Sequence, residues 1–481
     1  MKKYLFLLAA CFFCGSLFFA TGTGQASGRE IAQRGVIEGF YGKPWSQAER
    51  LEILSFMGRQ GLNTYVYAPK DDLYHRERWR EPYPEEQRKQ LKQLVAAAQK
   101  QKVEFIFALS PGLDIRLHGV EAEADLQALL SKYNMLYDLG VRQFALFFDD
   151  IKHKDGRGQA ALLHQVNRLL VHAHPGVKPL WTVPTEYFTE DMVKDGDVKP
   201  YTRSFSQHLD PDIQVLYTGP EVVSEEISSQ DIKTVEEIYH RKPLVWWNYP
   251  ANDYLPGKLA LGPVYGLSKV AASHMAGFLM NPMEQAHLSR LALATGAAYA
   301  RDPAGYQPEQ AWHKALVSQY GSLAGSMQVL AEHSQRMENN WAHAGRIDAA
   351  AMQKQMGEFW RQAAGGQNLD PGLTADLRRE FGQMQSAAAK LQQGLPPEAL
   401  QECSLQVELL KQLGAAGQTV LQLVWQERQG KAFSALQSYN SLLEQLAALP
   451  DSKKARLSEQ TCRYFFEEGK VWYEKRHLPL K

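Results

Sequence analysis

The sequence predicts an α/β chain in which a (β/α)8 barrel of the TIM type, residues 30–301, is followed by an all-α helical bundle, residues 302–481. Three observations predict it. Between residues 34 and 300, eight short runs of β-branched and aromatic residues alternate with longer amphipathic stretches, over about the 250 residues such a barrel occupies. After residue 302 Ala, Gln, Leu and Glu dominate and β-branched runs almost disappear. The composition, 44% hydrophobic and 22% charged, is that of a globular chain able to bury a large core without staples.

The barrel elements follow in order. Residues 35–38 read as the first strand and 47–59 as the helix behind it, with apolar positions at helical spacing. The remaining strands are expected at 64–68, 104–110, 143–148, 180–183, 213–217, 244–247 and 277–280. Helical patterns fall at 84–100, 122–139, 159–172, 231–240 and 283–298. In the second region, Gly365-Gly366, Gly394-Leu395-Pro396-Pro397 and Leu449-Pro450-Asp451 punctuate five or six helices. Trp341, Trp360 and Trp425 are expected in the core of this bundle, which either stabilises the barrel, forms a dimer surface or extends a cleft.

Acids and bases balance at 53 each and the pI is near 7.2, which argues against a nucleic-acid partner. Lys2 and Lys3 precede an apolar run over residues 4–20 and a small-residue stretch over 21–27, the order of a secretory signal peptide cleaved after Ala26. Secretion or export to a periplasm is therefore expected. A membrane span is disfavoured by the shortness of the run, and a lipid anchor at Cys11 by the apolar residues that continue past it. Beyond the signal only Cys403 and Cys462 remain, free to pair if their separation allows. Beyond that segment CxxC, HExxH and phosphate-loop signatures are missing, so no metal and no cofactor is expected.

A barrel collects its chemistry at the C-terminal ends of its strands. There the sequence places Glu38-Gly39-Phe40-Tyr41, Pro69-Lys70-Asp71-Asp72, Ser110-Pro111-Gly112-Leu113-Asp114, Asp149-Asp150, Pro184-Thr185-Glu186-Tyr187, Thr218-Gly219-Pro220, Asn248-Tyr249 and Asn281-Pro282. The apolar run 144–148 ends in two adjacent carboxylates, whose repulsion and burial favour one acid and one anion at the same pH. A loop-anchoring pair or a metal site would use the same residues. Tyr41, Tyr67, Tyr187, Tyr217, Trp246, Trp247 and Tyr254 cluster near this rim, where flat rings suit pyranose faces. Glycosidases with two catalytic carboxylates place them on opposite sides of the bond. Sequence-adjacent aspartates fit substrate-assisted hydrolysis better, with the sugar's own 2-acetamido oxygen as nucleophile.

The motifs Gly35-Val36-Ile37-Glu38-Gly39-Phe40-Tyr41-Gly42, Tyr65-Val66-Tyr67-Ala68-Pro69-Lys70-Asp71-Asp72, Phe147-Phe148-Asp149-Asp150-Ile151 and Pro184-Thr185-Glu186-Tyr187 resemble glycoside hydrolase family 84. That family holds O-GlcNAcases and the β-N-acetylglucosaminidases once called hyaluronidases. The resemblance implies a retaining, exo-acting hydrolase of terminal β-linked GlcNAc, working through an oxazoline on a glycan or glycopeptide. It implies that Asp149 orients the acetamido group, that Asp150 is general acid and then base, and that Tyr187 supports the acetamido oxygen. Gly39, Lys70, Trp246, Asn248, Asp253 and Asn281 match sugar-binding positions. An endo-acting hyaluronan or chitin hydrolase and a catalytically silent sugar-binding scaffold are the competing readings.

Overall fold

The computed structural model describes residues 30–366 and 368–477. The expected signal segment lies outside the described residues. The barrel begins with β1 (Gln33–Glu38) and α1 (Gln47–Gln60), and continues through β2 (Thr64–Tyr67), α2 (Glu85–Lys100), β3 (Glu104–Leu109), α3 (Val120–Asp138), β4 (Gln143–Phe147) and α4 (Gly156–Val166). After β5 (Trp181–Val183) the chain inserts a one-turn helix, α5 (Thr189–Met192), and a small hairpin, β6 (Val193–Lys194) and β7 (Asp197–Val198), before α6 (Pro200–His208). Then come β8 (Gln214–Tyr217), α7 (Ser229–Tyr239), β9 (Leu244–Trp247), β10 (Gly277–Met280) and α8 (Ala286–Arg301). The parallel sheet closes in the order β1-β10-β9-β8-β5-β4-β3-β2, with Val36 opposite Met280 and Glu38 opposite Tyr67.

The eight expected strands are the eight barrel strands, with ends moved by a residue or two. Local chemistry sets the helix ends. Ser46 and Glu49 form a capping box that starts α1, and Gly61 ends it at φ 70°, a left-handed conformation that glycine adopts without penalty. Ser228 and Asp231 start α7 in the same way. The helix expected over 159–172 starts earlier, at Gly156, and its last turn is a π-turn over Asn167–Val171.

The C-terminal region holds α9 (Pro308–Tyr320), α10 (Ala324–Glu332), α11 (Ala350–Ala364), α12 (Pro371–Gly394), α13 (Pro397–Arg428), α14 (Ala432–Ala447) and α15 (Tyr464–His477). Pro371 and Pro397 stand at the first positions of α12 and α13, the second within the break expected at Gly394-Leu395-Pro396-Pro397. Between α10 and α11 lies an unexpected hairpin, β11 (Met337–Glu338) and β12 (His343–Ala344). Of the three tryptophans expected in the bundle core, only Trp360 is buried; Trp341 and Trp425 are exposed, the first on that hairpin and the second near the end of α13. Cys403 and Cys462 are both buried as free thiols.

The barrel interior is filled by Ile37, Val66, Ile106, Phe147, Trp181 and Leu279 among others. A second apolar cluster lies between strands and helices and runs without interruption into the bundle. Strand alternation separates the aromatics expected together at the rim: Trp246 faces the barrel interior, whereas Tyr67, Tyr217 and Trp247 fall on the outward face and are buried under helices. Those three stand at the strand ends but do not line the mouth of the barrel.

Candidate active site

A cavity of about 560 Å³ opens at the C-terminal mouth of the barrel. It is lined by all nine residues singled out from the sequence: Gly39, Lys70, Asp149, Asp150, Tyr187, Trp246, Asn248, Asp253 and Asn281. Tyr41, Tyr254 and Thr218, which the sequence also placed at the rim, line it too, as do Val222 and Val223, which carried no signal in the sequence.

The two aspartates differ sharply in surroundings. Asp149 is buried, and its Oδ2 is ion-paired with the buried ammonium of Lys70 at the end of β2. Its Oδ1 has no hydrogen-bond partner. The repulsion expected between neighbouring anions is therefore met at Asp149 by a cation from another strand. Asp150 is exposed to the cavity and sits at φ 57°, a left-handed conformation that Asp tolerates better than most residues. That turn lets consecutive side chains serve different partners. The Tyr41 hydroxyl donates to Asp150 Oδ2 at 2.8 Å and the Tyr187 hydroxyl to Oδ1 at 2.8 Å. Burial, followed by the charge of Asp150, raises both phenols well above the usual tyrosine range, which keeps them protonated as donors.

The opposite wall is a polar relay. Trp246 Nε1 donates to Asn248 Oδ1 at 2.8 Å, and Asn281 Nδ2 donates to the same oxygen at 2.9 Å. The Gly39 amide donates to Asn281 Oδ1 at 3.2 Å. A Cβ at Gly39 would stand 2.4 Å from Trp246 Cζ2, so glycine is required for the indole to reach its place. Asp253 accepts from the Tyr41 and Tyr254 amides at 2.7 and 3.0 Å, while burial raises its carboxyl pKa. Glu38, also at a strand end, turns away from the mouth and is buried in an ion pair with Arg50.

Trp341 reaches the cavity from the C-terminal hairpin and packs its ring 5.1 Å from that of Tyr254. Nothing in the sequence distinguished it from a bundle tryptophan. Among the described residues, no group of three or more His, Cys, Asp or Glu is arranged to hold a metal ion.

An eight-stranded parallel barrel with acidic, amide and aromatic side chains converging on a pocket at its C-terminal mouth is built as an active site, and the family matches make it that of a glycoside hydrolase. Residues 34–332 match the family model for β-N-acetylglucosaminidase, and residues 351–466 match that of the hyaluronidase post-catalytic domain-like family. The chain belongs to the β-N-acetylglucosaminidase family, glycoside hydrolase family 84. It is 38% identical over 291 residues to protein O-GlcNAcase of Rattus norvegicus, covering 58% of this chain and 31% of that protein. The Mus musculus enzyme is 37% identical over 287 residues, 57% and 31% respectively. The chain thus spans about a third of the length of these curated relatives. Among solved structures, CpGH84B superposes with a TM-score of 0.87 at 36% identity, covering 91% of this chain and 77% of that one. The O-GlcNAc hydrolase of Thermobaculum terrenum, solved as a point mutant, gives 0.82 at 27% identity, with 93% and 96% covered.

Proposed function

We propose that this protein is a retaining exo-β-N-acetylglucosaminidase acting by substrate assistance on β-linked GlcNAc carried by a glycan or glycoprotein. The observation that carries the reading is the asymmetry of Asp149: Oδ2 is held by Lys70, and the buried Oδ1 is left as a bare acceptor beside Asp150. An acetamide N–H is a donor suited to that oxygen. Its capture aims the acetamido oxygen at the anomeric carbon and raises its nucleophilicity. As the carbon–oxygen bond of the oxazolinium ring forms, the glycosidic bond breaks and Asp150 gives its proton to the departing oxygen. Asp149 stabilises the positive charge on the ring nitrogen. Asp150, now a carboxylate, takes a proton from water as that water attacks the same carbon, and the ring opens with net retention.

Tyr187 moves from Asp150 to the acetamido oxygen in this scheme. Lys70, Asp253, Asn248, Asn281 and the Gly39 backbone bind the sugar hydroxyls, and Trp246 walls the acetamide. The filled barrel interior beneath the cavity closes it on that side, which supports removal of one terminal sugar at a time. The names of the mammalian relatives point to O-GlcNAc on protein as the first substrate to test.

Incubation with 4-nitrophenyl β-N-acetylglucosaminide should release nitrophenol, with β-GlcNAc the first anomer seen by NMR. Absence of release, or an initial α-anomer, would refute the proposal. On chitin or hyaluronan oligosaccharides only monosaccharide should appear; internal fragments would mean an endo-acting enzyme.

A further inference from the structure

Arg76 does not line the cavity, and no ion pair is formed by it among the described residues, yet its position is tightly determined. Asp72 Oδ2 accepts from the hydroxyls of Tyr67 and Tyr83 at 2.7 and 2.8 Å, and its Oδ1 accepts from the Tyr74 amide at 2.9 Å. Around this anchor the chain turns, with the Arg76 amide donating to the Asp72 carbonyl at 3.3 Å. The next residue inward, His75, is fully buried and tied to β3 through its ring Nδ1 and the Ala108 carbonyl at 2.8 Å. The turn thus delivers the Arg76 guanidinium to Tyr41: Nη1 donates to the hydroxyl at 3.0 Å, and the guanidinium carbon lies 5.2 Å from the ring centroid.

A phenol has one proton and can accept; a guanidinium can only donate. With Arg76 donating to it, the Tyr41 hydroxyl has its own proton left for Asp150 Oδ2. We infer that Arg76 is a positioning residue, acting through Tyr41, which keeps Asp150 aligned during catalysis. The inference rests on the reaction proposed above. In the free site two phenols hold Asp150, one on each oxygen. When Tyr187 turns to the acetamido oxygen, Tyr41 becomes the remaining hold on the acid/base, and Arg76 sets its direction. A carboxylic acid whose plane is free to rotate donates poorly to a glycosidic oxygen, so the contribution appears only where protonation of the leaving group limits the rate.

The test compares kcat/KM for a 4-nitrophenyl and a methyl β-N-acetylglucosaminide in wild type, Arg76→Ala, Arg76→Lys, Tyr41→Phe and Tyr41→Phe/Arg76→Ala. For Arg76→Ala the methyl glycoside should lose about 10-fold or more and the nitrophenyl glycoside less than about 3-fold with KM unchanged. Arg76→Lys, which keeps a charged donor, should recover part of the loss. In the Tyr41→Phe background, Arg76→Ala should add less than about 2-fold, since its target is gone. Equal losses on both glycosides, a raised KM alone, or full additivity with Tyr41→Phe would overturn the assignment. Should Arg76→Ala fail to fold, Arg76→Gln takes its place in the same comparison. A wild type inactive on both glycosides would refute the reaction and this role together; an active wild type with any overturning pattern would refute the Arg76 role alone.

Discussion

The Lys70 ammonium binds one oxygen of Asp149 and leaves the other buried without a partner. This pairing lets a carboxylate stay charged in a buried position while reserving its second oxygen for a ligand. An isolated buried anion would be too costly, and a fully satisfied one would have nothing to offer a substrate.

Asp149→Asn should therefore fail in two ways. The uncharged amide leaves Lys70 buried without its counter-ion, at a cost of about 3–5 kcal/mol, visible as a lower urea midpoint. It also loses the charge that stabilises the cyclising acetamide, so kcat/KM should fall by roughly 10²–10³. In the wild type, rates on N-fluoroacetyl, N-difluoroacetyl and N-trifluoroacetyl glycosides should decline steeply as the acyl oxygen becomes less basic. A flat series would exclude substrate assistance.

Asp150→Ala removes the proton donor without burying an unpaired charge, because Asp150 is open to the cavity and its neighbours are neutral phenols. Folding should be preserved. Turnover of a methyl glycoside should drop by about 10²–10⁴, whereas a nitrophenyl glycoside, which needs little protonation, should form its oxazoline at a much less affected rate. Steady-state measurements on a leaving-group series check this, since the slope against leaving-group pKa should steepen in the variant. An unchanged slope would mean that another residue is the acid.

Trp341 ties the C-terminal region to the site. It is 44% exposed, its ring packs on Tyr254, and it lines the cavity, so its removal should cost little stability. A ring face at a cavity mouth contributes on the order of 1 kcal/mol to a flat aglycone. Trp341→Ala should raise KM for aryl glycosides and glycopeptides by about 3–10-fold with kcat nearly unchanged, and should leave methyl β-GlcNAc unaffected. Equal effects on all three would show that the hairpin supports the site without touching the aglycone.

How legible these features were depended on whether they are local. The Asp149–Asp150 pair stood out because a buried strand announces itself as an unbroken apolar run, and whatever terminates it must lie at the barrel rim. Trp246 and Trp247 could not be separated in the same way. Which of two adjacent tryptophans faces inward is set by sheet register, and a one-residue slip reverses it. Trp341 was hidden because its hairpin has strands of two residues within helical surroundings. Arg76 was hidden for another reason: its place follows from Asp72 gathering two tyrosine hydroxyls, a contact between separate segments that no spacing rule encodes.

His333 supplies a pH test of the junction that carries the C-terminal region. Its backbone carbonyl accepts from the Ser458 amide at 2.9 Å, and its ring Nδ1 lies 2.9 Å from the Ser458 hydroxyl, so it links the end of α10 to the segment before α15. Burial, with the charge of Lys258 adding to it, lowers its pKa from 6.5 to about 4. Between those values the unfolded chain binds a proton that the folded chain refuses, so stability rises with pH. The contribution is fully present above about pH 6.5 and is lost as the pH falls towards 4, by an amount on the order of 3 kcal/mol. Urea unfolding between pH 4 and 7 should show that decline in the wild type. His333→Gln, which has no proton to gain, should be less stable than wild type at pH 7 but lose less on acidification, so that the two curves converge as the pH approaches 4. Parallel curves would mean that the imidazole is accessible enough to titrate normally, and that the acid sensitivity of the fold lies elsewhere.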